Sequence, residues 1–174
     1  MNLRTTLIKA SKKLKKNNIK TFQIDSEILL ANIINKDRKY IILNPNYQIK
    51  KFYLKKFNDL IDRRSKGEPV AYLIKKKEFW NETFYINEKV LIPRPDTEII
   101  VEEVLKLTKH KSDLKILDVG LGSGCILLSI LKEKNFFKGV GIDLSKKSVE
   151  IAKINAADLG LLNRVKILKS DIDN

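Results

Sequence analysis

Apolar residues recur at helical spacing through the first third of the chain. Leu3, Leu7, Ile8 and Leu14 fall on one face, and Ile24, Ile28, Leu29, Ile33 and Ile34 repeat the pattern. Asn35-Lys36-Asp37 interrupts it, and Asn44-Pro45-Asn46 interrupts it again. Phe52, Leu54, Phe57, Leu60 and Ile61 predict a further helix ending near Gly67, and Pro69 opens a short helical turn through Tyr72. Residues 1–75 read as a small helical bundle with no catalytic polar cluster.

The period then changes. Phe79, Trp80, Phe84, Tyr85 and Ile86 surround Asn81-Glu82, which predicts a β-hairpin turning at that pair and joining two domains over residues 76–94. Pro93 and Pro95 stop the strand. Asp96 or Thr97 starts a helix with Ile100, Val101, Val104 and Leu105 on its apolar face and His110 at its end. From Leu114 strands and helices alternate. Lys115–Val119 is a buried strand, Gly120–Gly124 a loop and Ile126–Leu131 a helix. Gly139–Asp143 is a second strand, followed by a helix capped by Ser145, carrying Val149, Ile151, Ala152 and Ile154, and stopped by Gly160. Val165–Leu168 is a third strand. Residues 95–174 thus predict an α/β domain, the front half of a doubly wound sheet.

Composition narrows the chemistry. An apolar content of 43% over 174 residues is enough for a packed core. The single cysteine, Cys125, excludes a disulfide framework and a cysteine zinc site, and reads as a small buried residue. With His110 as the sole histidine, Ser-His-Asp catalysis and histidine–metal chemistry lose their basis. The lysine-rich start is neither a signal peptide nor an anchor, and no run approaches the roughly 20 apolar residues of a membrane span. The expectation is a cytoplasmic protein without membrane contact. Net charge is +14, and residues 1–80 hold +13 of it, with 20 Lys/Arg against 7 Asp/Glu. Either the N-terminal part meets an acidic partner, or lysines simply solvate its helices.

The chemistry centres on Asp118-Val119-Gly120-Leu121-Gly122-Ser123-Gly124, at a strand-to-helix junction where glycines let the backbone turn sharply and approach a ligand. The dinucleotide pattern G-x-G-x-x-G fails, because Cys125 stands three positions after Gly122. The spacing G-x-G-x-G preceded by Asp resembles the first motif of Rossmann-like methyltransferases. Asp143 follows at the end of the next strand, either accepting hydrogen bonds from both hydroxyls of a ribose or capping the following helix. Asp118 either assists an amino group of the ligand or holds loop N–H groups. Ser170-Asp171-Ile172 follows the third strand, where an acidic residue of that superfamily commonly faces the adenine amino group.

Taken with Gly67-Glu68-Pro69-Val70-Ala71-Tyr72-Leu73, Glu78-Phe79-Trp80 and Leu91-Ile92-Pro93-Arg94-Pro95-Asp96-Thr97-Glu98, the loop resembles the release-factor glutamine N5-methyltransferase family over essentially the whole chain. P-R-P-D-T-E separates it from the sister family acting on a ribosomal protein. The resemblance implies a helical substrate-recognition bundle over residues 1–75, a hairpin linker and an S-adenosyl-L-methionine-binding domain. It implies methylation of a glutamine amide nitrogen in peptide chain release factors. Carried over by position, Gly120, Leu121, Gly122, Ser123 and Gly124 line the methionine end of the cofactor, and Asp118 counts among the cofactor-binding residues. Asp143 holds the ribose, and Asp171 and Ile172 flank the adenine. Leu121 replaces a small polar residue common in the loop, which requires its side chain to point away from the ligand. Ile172 stands where the family often has an aromatic residue.

The family's N-P-P-Y motif, whose groups orient the glutamine amide, does not occur in these 174 residues. No catalytic residue is therefore assigned, and the chain is expected to be an incomplete, inactive portion. Two other readings remain: a ribosomal-protein or nucleic-acid amino methyltransferase of the same fold, and a non-catalytic basic module that holds RNA. The basic charge permits RNA contact without requiring it, since no RNA motif or aromatic stacking platform is evident.

Overall fold

The computed structural model describes residues 1–171 and divides into two compact units, residues 1–74 and a second unit beginning at Lys75. The first unit contains α1 (Leu3–Lys16), α2 (Phe22–Ile34), α3 (Arg38–Leu43), α4 (Lys51–Ser65) and α5 (Val70–Ile74). Asn2 caps α1 by accepting the Thr5 N–H at 2.9 Å, and Asp37 caps α3 by accepting from Tyr40 at 2.6 Å. Asn35 closes α2 with a left-handed φ of +53°. The apolar faces meet in a core of Leu3, Leu14, Leu29, Leu30, Phe57 and Ile61. Ile8, expected on the buried stripe, is 61% exposed, because Leu3, Thr6, Ala10 and Leu14 form the face that packs.

The second unit opens with β1 (Lys76–Phe79) and β2 (Glu82–Tyr85), an antiparallel pair. The turn is Trp80-Asn81, one residue earlier than expected, and both residues have left-handed φ values, +47° and +61°. A bulky residue resists that conformation. Trp80 is held there from outside the hairpin: its backbone N–H donates to Glu98 at 3.0 Å, and its indole N–H to Glu133 at 2.9 Å. A short 3-10 turn (Pro95–Thr97) leads into α6 (Glu98–Leu107). His110 lies exposed in the turn beyond that helix.

The strands β3 (Lys115–Val119), β4 (Lys138–Asp143) and β5 (Val165–Lys169) form a parallel sheet in the order β3-β4-β5. They are connected by α7 (Cys125–Glu133) and α8 (Lys146–Asp158). Both helices lie over the face carrying Ile116, Gly139 and Ile167; α7 approaches β4 so closely that a Cβ on Gly139 would sit 2.9 Å from Leu127. The other face carries Leu117, Val119 and Leu168, which are exposed in the described structure. No helix among the described residues is long and apolar enough to cross a membrane.

Candidate functional site

The glycine loop begins where β3 ends. Gly120, Gly122 and Gly124 have φ values of +78°, +58° and +82°, which L side chains rarely adopt. Gly124 is constrained twice, since a Cβ there would also lie 2.9 Å from the Leu128 side chain. The N–H groups of Gly120 and Leu121 both donate to the Ile142 carbonyl, at 2.9 and 3.0 Å, so the loop closes against the end of β4. Leu121 turns its side chain inward, 5% exposed, into the space where a Cβ on Gly141 would otherwise sit. Only its backbone is left for a ligand, which is how this loop accommodates a bulky residue.

Asp143 ends β4, half-buried. Its Oδ2 accepts the Gly122 N–H and its Oδ1 the Ser145 N–H, each at 2.8 Å. Ser145 performs the capping of α8, accepting from the Ser148 N–H at 3.2 Å. An ionised carboxylate offers about four acceptor positions, so two remain after these bonds. Beside Asp143 lies a cleft of about 220 Å³, lined by Val119, Gly120, Ile142, Asp143, Leu144, Ser170 and Asp171. It sits at the carboxyl ends of three parallel strands, the position ligands take in open α/β sheets. It brings together Gly120, Asp143 and Asp171, three of the residues singled out from sequence.

The remaining candidates among the described residues do not line the cleft. Ser123 is buried, its carbonyl accepting from Asn155 Nδ2 at 2.8 Å. Asp118 faces the helix-covered side of the sheet; burial pushes its carboxyl up to about 6, the Leu127 backbone pulls it down, and the like charge of Asp143 adds to the rise. Cys125 is buried at the start of α7, and burial raises its thiol, as befits an inert residue. Ile172 lies outside the described residues. Sequence reading missed Asn155, which is 1% exposed. Its one signal was a polar residue at helical spacing from Ile151 and Ala152.

Larger hollows exist elsewhere. One of about 590 Å³ lies beside the hairpin, lined by Glu78, Trp80, Glu82 and Glu98; one of about 470 Å³ lies among Ile8, Phe22, Ile41 and Ile42. Neither includes the glycine loop. No group of three or more His, Cys, Asp or Glu among the described residues could hold a metal ion.

Comparison with known proteins follows the same division. Residues 5–74 match the PrmC N-terminal domain, and residues 110–174 match a methyltransferase domain. The release factor glutamine methyltransferase of Clostridium acetobutylicum is 40% identical over 172 residues, covering 99% of this chain and 60% of that protein. The one from Buchnera aphidicola subsp. Schizaphis graminum is 42% identical over 163 residues, covering 94% of this chain and 58% of its own length. Among solved structures, a SAM-dependent methyltransferase from Thiobacillus denitrificans in complex with S-adenosyl-L-homocysteine aligns at 30% identity. It covers 42% of this chain and 29% of that one, with a TM-score of 0.37. The chain thus spans about 60% of the length of the curated relatives it matches. Both domain families occur in this order, and about 40% identity to release factor glutamine methyltransferases is sustained along nearly all of the chain's residues.

Proposed function

We propose that the chain holds S-adenosyl-L-methionine in the cleft at Asp143, and that it serves methylation of a glutamine side-chain amide nitrogen in peptide chain release factors. The observation that carries the cofactor reading is the position of Asp143: it borders the cleft, is bonded to the glycine loop and still has acceptor positions free. Those positions suit the two ribose hydroxyls, a strong charge-assisted arrangement. Asp171, exposed at the far side of the cleft, suits the adenine amino group. Gly120 to Gly124 offer backbone without side-chain obstruction to the methionine end, and Asp118 behind them supplies negative charge for its ammonium. The bound cofactor would supply an activated methyl group on a sulfonium. The site residues named here bind and orient it.

The acceptor reading rests on the names of the relatives and on the bundle that precedes the site. Lys12, Lys15, Lys16, Lys50, Lys51, Lys55 and Lys56 are exposed on that bundle. Such charge acts on the rate of encounter with an acidic protein surface and is screened by salt.

Calorimetry tests the cofactor: S-adenosyl-L-methionine and S-adenosyl-L-homocysteine should both bind, and NAD should not. No heat of binding for either sulfur compound would remove the reading. For the acceptor, release factor should bind the chain at low salt and lose affinity when Lys12, Lys15 and Lys16 are changed to Glu. Equal or tighter binding to RNA would favour a basic nucleic-acid module instead.

A further inference from the structure

We infer that Asn155 is a positioning residue that locks the glycine loop to the β-hairpin and thereby sets the loop's shape for its ligand; the ligand part of this inference rests on the cofactor reading above. Asn155 lies on the buried face of α8 and is 1% exposed. Its side-chain amide makes three hydrogen bonds. Oδ1 accepts the Tyr85 N–H at 2.7 Å, and Nδ2 donates to the Tyr85 carbonyl at 3.0 Å and to the Ser123 carbonyl at 2.8 Å.

The first two bonds engage both backbone groups of one residue. A side-chain amide carries the same donor and acceptor as a peptide, so Asn155 does for Tyr85 what a residue of a neighbouring strand would do. Tyr85 closes β2, paired to Lys76 of β1, so the hairpin's end is fixed to α8. The third bond reaches Ser123, between the left-handed Gly122 and Gly124. Three bonds tie the loop to the β4 side, Gly120 and Leu121 to Ile142 and Gly122 to Asp143, while Gly124 donates to the Leu121 carbonyl and accepts the Leu128 N–H of α7. Asn155 supplies the side-chain anchor from α8. The loop is thus held between β4 and α8, and a displacement of β2 is transmitted through one amide to Ser123.

The chemistry of Asn is specific to this task. Asp would keep the acceptor for Tyr85 N–H but set an oxygen against two carbonyls. Ala would leave Tyr85 and Ser123 with buried, unpaired backbone groups, a cost borne locally. Burial alone does not distinguish a positioning residue from a core residue, so the test compares variants of matched stability.

Asn155→Ala and Asn155→Asp are made beside Val101→Ala, which truncates a fully buried residue of α6. Two quantities are read on the folded proteins: amide hydrogen exchange at Gly122 and Gly124, and affinity for S-adenosyl-L-homocysteine by calorimetry. Loop exchange should rise at least about tenfold in both Asn155 variants, and affinity should fall by about tenfold or more, the scale of one lost hydrogen bond. In Val101→Ala both should stay within about twofold of the parent once its Tm loss is matched. Loop exchange and affinity that move equally in Val101→Ala and the Asn155 variants would overturn the inference. If the parent fails to bind S-adenosyl-L-homocysteine, the cofactor reading falls, and the exchange measurement still decides whether Asn155 holds the loop.

Discussion

The backbone N–H of Gly122 donates to Oδ2 of Asp143 across 2.8 Å, so the residue expected to meet a ligand also shapes the loop that borders it. Asp143→Ala should therefore do two things at once. It should weaken S-adenosyl-L-methionine binding by roughly 1.5–3 kcal/mol, the range for hydrogen bonds to a charged group. It should also raise amide exchange at Gly122. Asp143→Asn keeps an acceptor for one of the two N–H groups and should fall between. Calorimetry that finds unchanged affinity in Asp143→Ala would count against ribose binding at this carboxylate.

Leu121 and Gly141 form a second coupled pair. A Cβ on Gly141 would approach the Leu121 side chain to 2.7 Å, while the Gly141 backbone has no left-handed φ that an alanine would resist. Gly141→Ala should cost about 1–3 kcal/mol through overpacking, and Leu121→Ala about 2–5 kcal/mol through the cavity it leaves. The double variant should be more stable than the two costs added together, since each change relieves the other. Urea unfolding of the four proteins measures this; strict additivity would mean that the two side chains do not compete for one space.

The bounds of the strand Lys115–Val119 were legible residue for residue, because a short apolar run bounded by a glycine loop has one reading once strands and helices alternate, but its expected burial was not: Leu117 and Val119 lie on the exposed face of the sheet. The cap at Ser145 was legible for the same local reason. The features that escaped depend on distant partners. The hairpin turn moved to Trp80-Asn81 because Glu98 and Glu133, 18 and 53 residues away, hold Trp80. Asn155 was invisible as a functional residue because its partners lie 32 and 70 residues away. The glycine loop announced itself through composition. That Leu121 turns under Gly141, and Asp118 behind the loop, required the fold.

In the helical unit Arg64 Nε donates to Asp25 Oδ2 at 2.8 Å, and an Arg64 NH group donates to the Glu68 carbonyl at 3.1 Å. The two side chains are only 15% and 9% exposed. Removing one partner strands the other in a dry site, so Asp25→Ala should destabilise the unit by about 3–5 kcal/mol. Replacing both, Asp25→Leu with Arg64→Met, should cost less than the single change. Thermal unfolding of residues 1–74 within the whole chain, followed by amide exchange, reads this; a single variant no worse than the double would refute it.

The exposed face of the sheet carries Leu117 at 59% and Leu168 at 39% exposure, on parallel strands of a kind ordinarily covered on both sides. A polypeptide of these 174 residues should self-associate at micromolar concentration. Leu117→Lys with Leu168→Lys should shift it toward monomer in sedimentation velocity. A parent that sediments as a monomer at the highest soluble concentration would contradict this.

Asp118 supplies the pH dependence. Its carboxyl titrates at about 6 in the folded chain against 3.8 ordinarily, chiefly because burial disfavours the ion. Between those values the folded state holds a proton that the unfolded state has released. Stability should therefore fall as pH rises from about 4 to about 6, and the penalty should be complete above that. Two pH units correspond to roughly 1–3 kcal/mol after allowance for the group's partial exposure. Asp118→Asn removes the titration, so it should be more stable than the parent at pH 7.5 and should lose that advantage near pH 4. Urea midpoints across the range give the difference curve. Cofactor uptake should show the opposite preference. An ammonium placed beside Asp118 favours the carboxylate, so binding at pH 6 should expel a proton and weaken as pH falls further. Calorimetry in buffers of different ionisation enthalpy detects that proton. If Asp118→Asn binds S-adenosyl-L-methionine as tightly as the parent at pH 7.5 and with the same pH profile, the carboxylate takes no part in holding the amino group and serves only the architecture of the loop.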